Sequence, residues 1–277
     1  MLKRNRKSLK KITIFFMAVL LIFSVAGCAK KNTPAPEPTT TVAETVAEEQ
    51  KESAIDKWTG EAQEPATIIL VRHGETDYNL EGRYQGRIDI PLNETGLAQA
   101  DKLAEYLKDT QIDVFITSPL QRAYVTGQRV AEYHGLPVST DDRLVEIDFG
   151  DWAGCYKKDL KADHPEDYKV WTETPWLFTM PNGENLEMMG TRGAEAIHEI
   201  ACNNAGKTIF IAAHSMFNQA VVCELLGFGY EHFSQLGQDN TSITVLRYDG
   251  KWKMLVWNAT PHLGMVANGL PLQAAVE

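Results

Sequence analysis

The chain has 277 residues, 44% of them hydrophobic and 23% charged, with a formal net charge of −10. That balance supports a buried core and argues against nucleic acid or an anionic membrane surface as a partner. The four cysteines are widely spaced with no CxxC, so they suggest neither a disulfide framework nor a zinc site.

The chain opens with a segment that does not read as a folded domain. Residues 2–11 carry six basic side chains and no acid, and small residues precede Cys28 in "SVAGC". Between them Ile12 to Val25 is an apolar run of 14, too short for an ordinary membrane span. Basic region, apolar region and small-residue cleavage site together read as a secretory signal over residues 1–27. A cysteine directly after Val-Ala-Gly resembles the lipobox of bacterial lipoproteins. The resemblance implies cleavage after Gly27 and a lipid on Cys28. The expected location is the extracytoplasmic face of the cell membrane, with that lipid as the sole membrane contact. A plain signal peptide and an uncleaved anchor are the alternatives. Loss of the six leader cations would take the charge from −10 to −16. Residues 28–64 are rich in Pro, Thr, Ala and Glu, with Trp58 the exception, and read as a disordered tether. Residues 65–277 remain as one domain.

Thr67–Arg72 is a continuous apolar run and predicts a buried strand. Glu94–Asp109 is an amphipathic helix with Leu97, Ala100, Leu103, Ala104 and Leu107 on one face. Asp113–Thr117 is a second buried strand, and a helix follows from Leu120 to His134, ending at Gly135. Leu144–Phe149 reads as a short extended piece. Residues 156–172 and 185–202 are helical in character. Thr208–Ala213 is a third buried strand, followed by a helix from Met216 to Leu226. Thr241–Tyr248 and Trp252–Trp257 flank Asp249-Gly250 and predict a hairpin. Apolar strands alternating with helices imply an α/β fold: a three-layer α/β/α sandwich around a mostly parallel sheet.

Ligands in such sheets bind at the carboxyl ends of the strands. Arg72 and His73 end the first strand, Ser118 and Arg122 follow the second, and His214 ends the third. An isolated strand-end histidine is more often structural, but these residues share one sheet edge. A phosphate monoester needs cationic donors, a nucleophile and an acid for the leaving oxygen. His73 suits the nucleophile, neutral and oriented through its other ring nitrogen. Gly74 would let the main chain approach the phosphate.

Several stretches in order resemble the histidine phosphatase superfamily, in its phosphoglycerate-mutase-like branch. They are "LVRHGETDYNLEGRYQGRIDIPLNETGLAQA", "ITSPLQRAYVTGQ", "LVEIDFGDWAG", "FIAAHS" and "DNTSITVLRYDG", and the likeness runs from about Thr67 to His262. The resemblance implies that His73 is phosphorylated and that Arg72 and Arg122 bind the phosphate. It makes His214 a second phosphate contact as a cationic donor, and Glu146 the acid that protonates the leaving oxygen and then activates water. Asn79, Gln85 and Gly86 would line the pocket. Asp148 competes with Glu146; Glu146 better matches the family's acid before a Gly-aromatic pair. Arg83 and Arg87 are expected at the rim, and His134, His164, His198 and His232 have no motif context. His262 reads as structural.

The family usually has His-Gly after this strand; here it is His214-Ser215-Met216-Phe217. Ser215 could add a phosphate contact, and Met216 and Phe217 would make that wall apolar. Trp171, Trp176, Phe178 and Met180 are further candidates for an apolar pocket wall, or for core. The expected reaction is hydrolysis of a small phosphorylated metabolite, with no cofactor and no metal. A phosphoglycerate mutase and an inert phosphoester-binding lipoprotein are the alternatives. Arg122 and Glu146 are only 24 residues apart, and the segment after Glu146 is acidic rather than basic, which favours the compact phosphatases.

Overall fold

A computed structural model describes residues 57–61 and 63–264. The leader, Cys28 and the tether up to residue 56 lie outside the described residues.

The fold is the expected α/β sandwich. Its elements in chain order are β1 (Ala66–Arg72), α1 (Asp77–Glu81), α2 (Glu94–Leu107), β2 (Val114–Thr117), α3 (Gln121–His134), β3 (Val138–Thr140), α4 (Lys157–Asp163), α5 (Pro165–Glu173), α6 (Leu186–Cys202), β4 (Thr208–Ala213), α7 (Ser215–Leu226), β5 (Ile243–Tyr248) and β6 (Trp252–Ala259). The sheet order is β3-β2-β4-β1-β5-β6. β1, β2, β3 and β4 run parallel, and the β5–β6 hairpin adds antiparallel to β1.

Strand alternation divides the core into two layers. Ile68 and Leu70 of β1 pack with Ile209 and Ile211 of β4 against α6 and α7. Ile69 and Val71 pack with Phe210 and Ala212 against α2 and α3. A strand buried on both faces has no polar alternation, which is why β1 and β4 read as unbroken apolar runs. On α2 the buried stripe begins with Gly96; Leu97 is only half-buried.

Four expectations need correcting. Residues 145–149 join no strand; they follow a single 3-10 turn, Asp142–Leu144. The helix expected over 156–172 breaks at His164, because Pro165 cannot donate a backbone N–H and instead starts α5. β5 begins at Ile243, because Thr241 sits at φ 55 and cannot continue a strand. Trp58, assigned to the tether, is only 5% exposed and packs in the core. Its ring lies edge-on to His198, with centroids 5.5 Å apart. The backbone N–H of Gly60 donates to Gly250 O at 3.0 Å. The packed chain therefore starts ahead of Pro65.

Candidate active site

The sheet itself assembles the site. Arg72 is in register with Ala213, and Thr117 with Ala212, so the next residues of three strands emerge at one edge. His73 and His214 stand side by side there, with ring centroids 5.3 Å apart.

His73 is 3% exposed, and its Nδ1 lies 2.6 Å from the carbonyl oxygen of Gly74. A carbonyl can only accept, so Nδ1 carries the proton and Nε2 keeps its lone pair. Burial, and then the charges of Arg122 and Arg72, hold the ring well below the ordinary histidine range, hence neutral. The main chain around it is fixed from three sides. His73 N donates to Ala213 O at 3.0 Å, and His73 O accepts from Asn240 Nδ2 at 3.0 Å. Gly74 N donates to Thr126 Oγ1 at 3.1 Å, and that hydroxyl donates to Arg122 O at 2.7 Å. Thr241, with φ 55, donates its N–H to Arg72 O at 3.0 Å. A β-branched residue in that region is strained by roughly 1–3 kcal/mol, a cost tolerated where surrounding bonds over-determine it.

Gly74 is required by packing, whatever it does for a ligand. A Cβ there would meet Gly96 O at 2.5 Å, and one on Gly96 would meet Glu75 O at 2.1 Å. The two glycines let α2 press its first turn against the segment after His73. Gly86 does face the site: it has φ 52, and a Cβ on it would lie 2.9 Å from both Ile147 O and the Phe149 ring.

Both arginines are held by neutral main-chain oxygens. Arg122, only 1% exposed, donates from Nη1 to Ile88 O at 2.9 Å and from Nη2 to Gly86 O at 2.7 Å. Arg72 Nη1 donates to Gln238 O. Burial lowers the Arg122 guanidinium to about 10, against the charges of Glu146 and Asp89, which leaves it protonated at neutral pH. Each keeps a buried Nε without a partner. Fixed cations with unused donors suit a dianion.

Glu146 is 7% exposed. Its Oε1 accepts from the N–H of Ile147 at 3.0 Å and of Phe217 at 2.9 Å, and its Oε2 from Met216 N at 3.2 Å. Burial raises its pKa, outweighing these bonds and the charge of Arg122. A carboxyl that retains its proton more readily than usual suits a general acid. Asp148 does not compete in space. It lies 3.5 Å from Arg87 and accepts from Gly150 N at 2.9 Å, away from the cavity lining.

Arg72, His73, Arg122, Glu146, Asn79, Gln85, Gly86 and Ser215 all line one cavity of about 160 Å³. Asn79 Oδ1 accepts from Thr76 N in the cap of α1, which leaves its amide NH2 for a ligand. Gln85 Oε1 is buried without a partner. His214 stands behind this lining. Its Nε2 lies 2.8 Å from Ser118 Oγ, while Nδ1 is buried with no partner. Burial and the Arg122 charge hold His214 well below the ordinary range, so it is neutral here, not cationic as expected. A dianion within reach would favour its protonation.

Of the candidate apolar walls, Met216 lines the cavity and the others belong to the core. Trp171 and Met180 are buried in the core, Trp176 and Phe178 pack against it, and Phe217 is fully buried. Trp171 reaches the site only indirectly, donating to Tyr84 OH at 2.7 Å. Tyr84, Phe149, Met216, Arg83 and Lys157 complete the lining. Arg83 is anchored to Gly154 O at 2.8 Å and stacks 3.8 Å over the Tyr78 ring. Lys157 carried no motif signal; it enters because α4 begins beside Tyr84, with Nζ 5.4 Å from that ring's centre. A larger hollow of about 510 Å³ is lined by Asp151, Asp159, Asp163 and Asp167, whose charges would repel a phosphate.

A neutral histidine with a free lone pair, two buried guanidiniums and a buried carboxyl form the donor set of a phosphoryl-transfer site. Comparison with known proteins agrees. The histidine phosphatase superfamily (branch 1) matches residues 68–260, and the chain belongs to that family. Phosphoserine phosphatase 1 of Hydrogenobacter thermophilus is 35% identical over 198 residues, covering 71% of this chain and 94% of that protein. The solved structure of a mycobacterial glucosyl-3-phosphoglycerate phosphatase superposes with a TM-score of 0.66 at 30% identity, covering 71% of this chain and 100% of that one. A mutant phosphoserine phosphatase from Entamoeba histolytica, in complex with phosphoserine, gives 0.65 at 28% identity, with 72% and 99% covered. The protein is thus an enzyme of the phosphatase class.

Proposed function

We propose that the protein hydrolyses small, carboxylate-bearing phosphate monoesters through a phosphohistidine on His73, without a metal. The bond from Nδ1 to Gly74 O carries the reading, because it leaves Nε2 as the attacking atom. Arg72 and Arg122 hold the non-bridging oxygens, with Asn79, Gln85, Ser215 and His214 as further contacts. Nε2 attacks phosphorus, and the P–O bond to the alcohol breaks as Glu146 delivers its proton to that oxygen. The resulting carboxylate takes a proton from water, the hydroxide forms a P–O bond, and the P–N bond breaks. His73 and protonated Glu146 return; alcohol and phosphate leave.

Lys157 and Arg83 support the substrate class. They add positive charge beyond the two phosphate-binding arginines, where a substrate carboxylate would lie. A relative named for phosphoserine points the same way. The short, acidic stretch after Arg122 and Glu146 disfavours a mutase, and an inert binder would not need the acid. The signal-like leader and Cys28 support an extracytoplasmic, lipid-anchored enzyme.

The test is turnover of phosphoserine, 3-phosphoglycerate and p-nitrophenyl phosphate in EDTA. Activity should survive EDTA. Lys157→Met should raise KM about tenfold for the carboxylate esters, the worth of one charged hydrogen bond, and leave p-nitrophenyl phosphate nearly unchanged. Interconversion of phosphoglycerates driven by a bisphosphate would establish the mutase instead.

A further inference from the structure

Residues 145–149, which carry Glu146, have no strand neighbours to fix them. The main chain at and before Glu146 is held by one side chain of α6. Arg192 Nη1 donates to Arg143 O at 2.8 Å and Val145 O at 2.9 Å, and its Nη2 donates to Glu146 O at 3.1 Å. Glu184 completes the arrangement. Its two oxygens take Arg192 Nε and Nη2, each at 3.0 Å, and its Oε2 accepts from Asp148 N at 3.1 Å. Arg87 adds a third cation contact to Glu184, at 2.7 Å. Hydrogen bonds thus hold the main chain on both sides of Glu146, while three backbone N–H groups hold its carboxyl.

Only a guanidinium can do this. Its planar fork serves three carbonyls and a carboxylate at once, which an ammonium cannot. Glu184 also offsets the positive charge of Arg192 beside the loop. Both hydrogen bonds and the Arg192 charge oppose burial, and Glu184 stays below the ordinary carboxylate range. The pair is an ionised clamp, not a second proton donor.

We propose that Arg192, braced by Glu184, is the positioning residue for proton transfer at the leaving oxygen: it sets where the Glu146 carboxyl sits without touching substrate. The proposal rests on the reading of Glu146 as the acid. Proton transfer by a positioned group is worth roughly 10²–10⁴-fold, and a misplacement of about 1 Å can cost about 10²-fold. Arg192→Lys should lose part of that and spare phosphate binding.

The experiment measures first-turnover rates for phosphoserine and p-nitrophenyl phosphate in the wild type, Arg192→Lys, Glu184→Gln and Glu146→Gln, with the dissociation constant of inorganic phosphate as a check on the pocket. The alkyl ester needs an acid; nitrophenolate leaves with little help. Arg192→Lys should slow the phosphoserine turnover about 10- to 100-fold, leave p-nitrophenyl phosphate within about 3-fold, and leave phosphate affinity unchanged. Glu184→Gln, which can still accept from Asp148 N, should show the same selectivity more weakly and serves if Arg192→Lys does not fold. Equal slowing of both esters, or no slowing, overturns the positioning role. If Glu146→Gln itself shows no dependence on the leaving group, the acid assignment falls and this inference with it. If Glu146→Gln shows it and both clamp variants do not, the inference alone falls.

Discussion

His73 and Glu146 are displaced in opposite directions by the same burial. His73 falls well below 6.5, so it stays unprotonated and nucleophilic into weakly acid solution. Glu146 rises above 4.5, so its acid form persists further up the pH scale than an exposed carboxyl would. The proposed mechanism requires neutral His73 with protonated Glu146. That state is lost on the acid side as His73 protonates and on the alkaline side as Glu146 ionises. kcat/KM for an alkyl ester should therefore be bell-shaped, with its acid limb below 6.5 and its alkaline limb above 4.5, and the alkaline limb should be shallower for p-nitrophenyl phosphate. An acid limb at or above pH 6.5 would contradict the His73 shift. Arg122 does not titrate in this range, since burial lowers it only to about 10.

Among the elements, the strands with continuous apolar runs were readable from the chain. β1 and β4, buried on both faces, and β2, buried on one face and partly on the other, needed only those runs, and the hairpin needed only Asp249-Gly250, where Gly250 takes φ 102. Most of the site followed, because strand ends put Arg72, His73 and His214 at one edge whatever the helices do. What was not readable depends on distant partners. The segment around Glu146 looked extended, but it is shaped by Arg192, 46 residues further on. Trp58 looked like a stray apolar residue in a polar tract; its place is a cluster with His198, Tyr248 and Trp252. Lys157 sits in no periodic pattern, and only the docking of the start of α4 beside Tyr84 brings it to the pocket. The close approach of Gly74 to Gly96 is likewise a contact between distant parts of the chain that no local pattern shows.

For the molecule as a whole, the chain enters the domain at the end of the sheet away from the pocket. Gly60 bonds to Gly250 and Lys57 pairs with Glu224 at 3.1 Å, both near where β1 starts, whereas His73 follows its other end. Lys57 and Gly60 thus lie at the end of the sheet opposite His73. This suits the proposed anchor at Cys28. Metabolic labelling with a fatty acid should mark the wild type and not Cys28→Ser, which should also leave the membrane fraction; an unlabelled, soluble wild type would reject the anchor. The net negative charge, −10 for the full chain and −16 without the six leader cations, repels anionic substrates at long range, so the buried arginines must act locally, and high salt should weaken substrate capture little.

Rapid mixing with labelled substrate, followed by an alkaline quench and peptide mapping, asks whether His73 carries the phosphoryl group. Label should appear on the peptide containing His73, stable to alkali and lost in acid, with neither label nor turnover in His73→Ala. Turnover with no label at that histidine, or a His73→Ala variant as active as the wild type, would contradict that role.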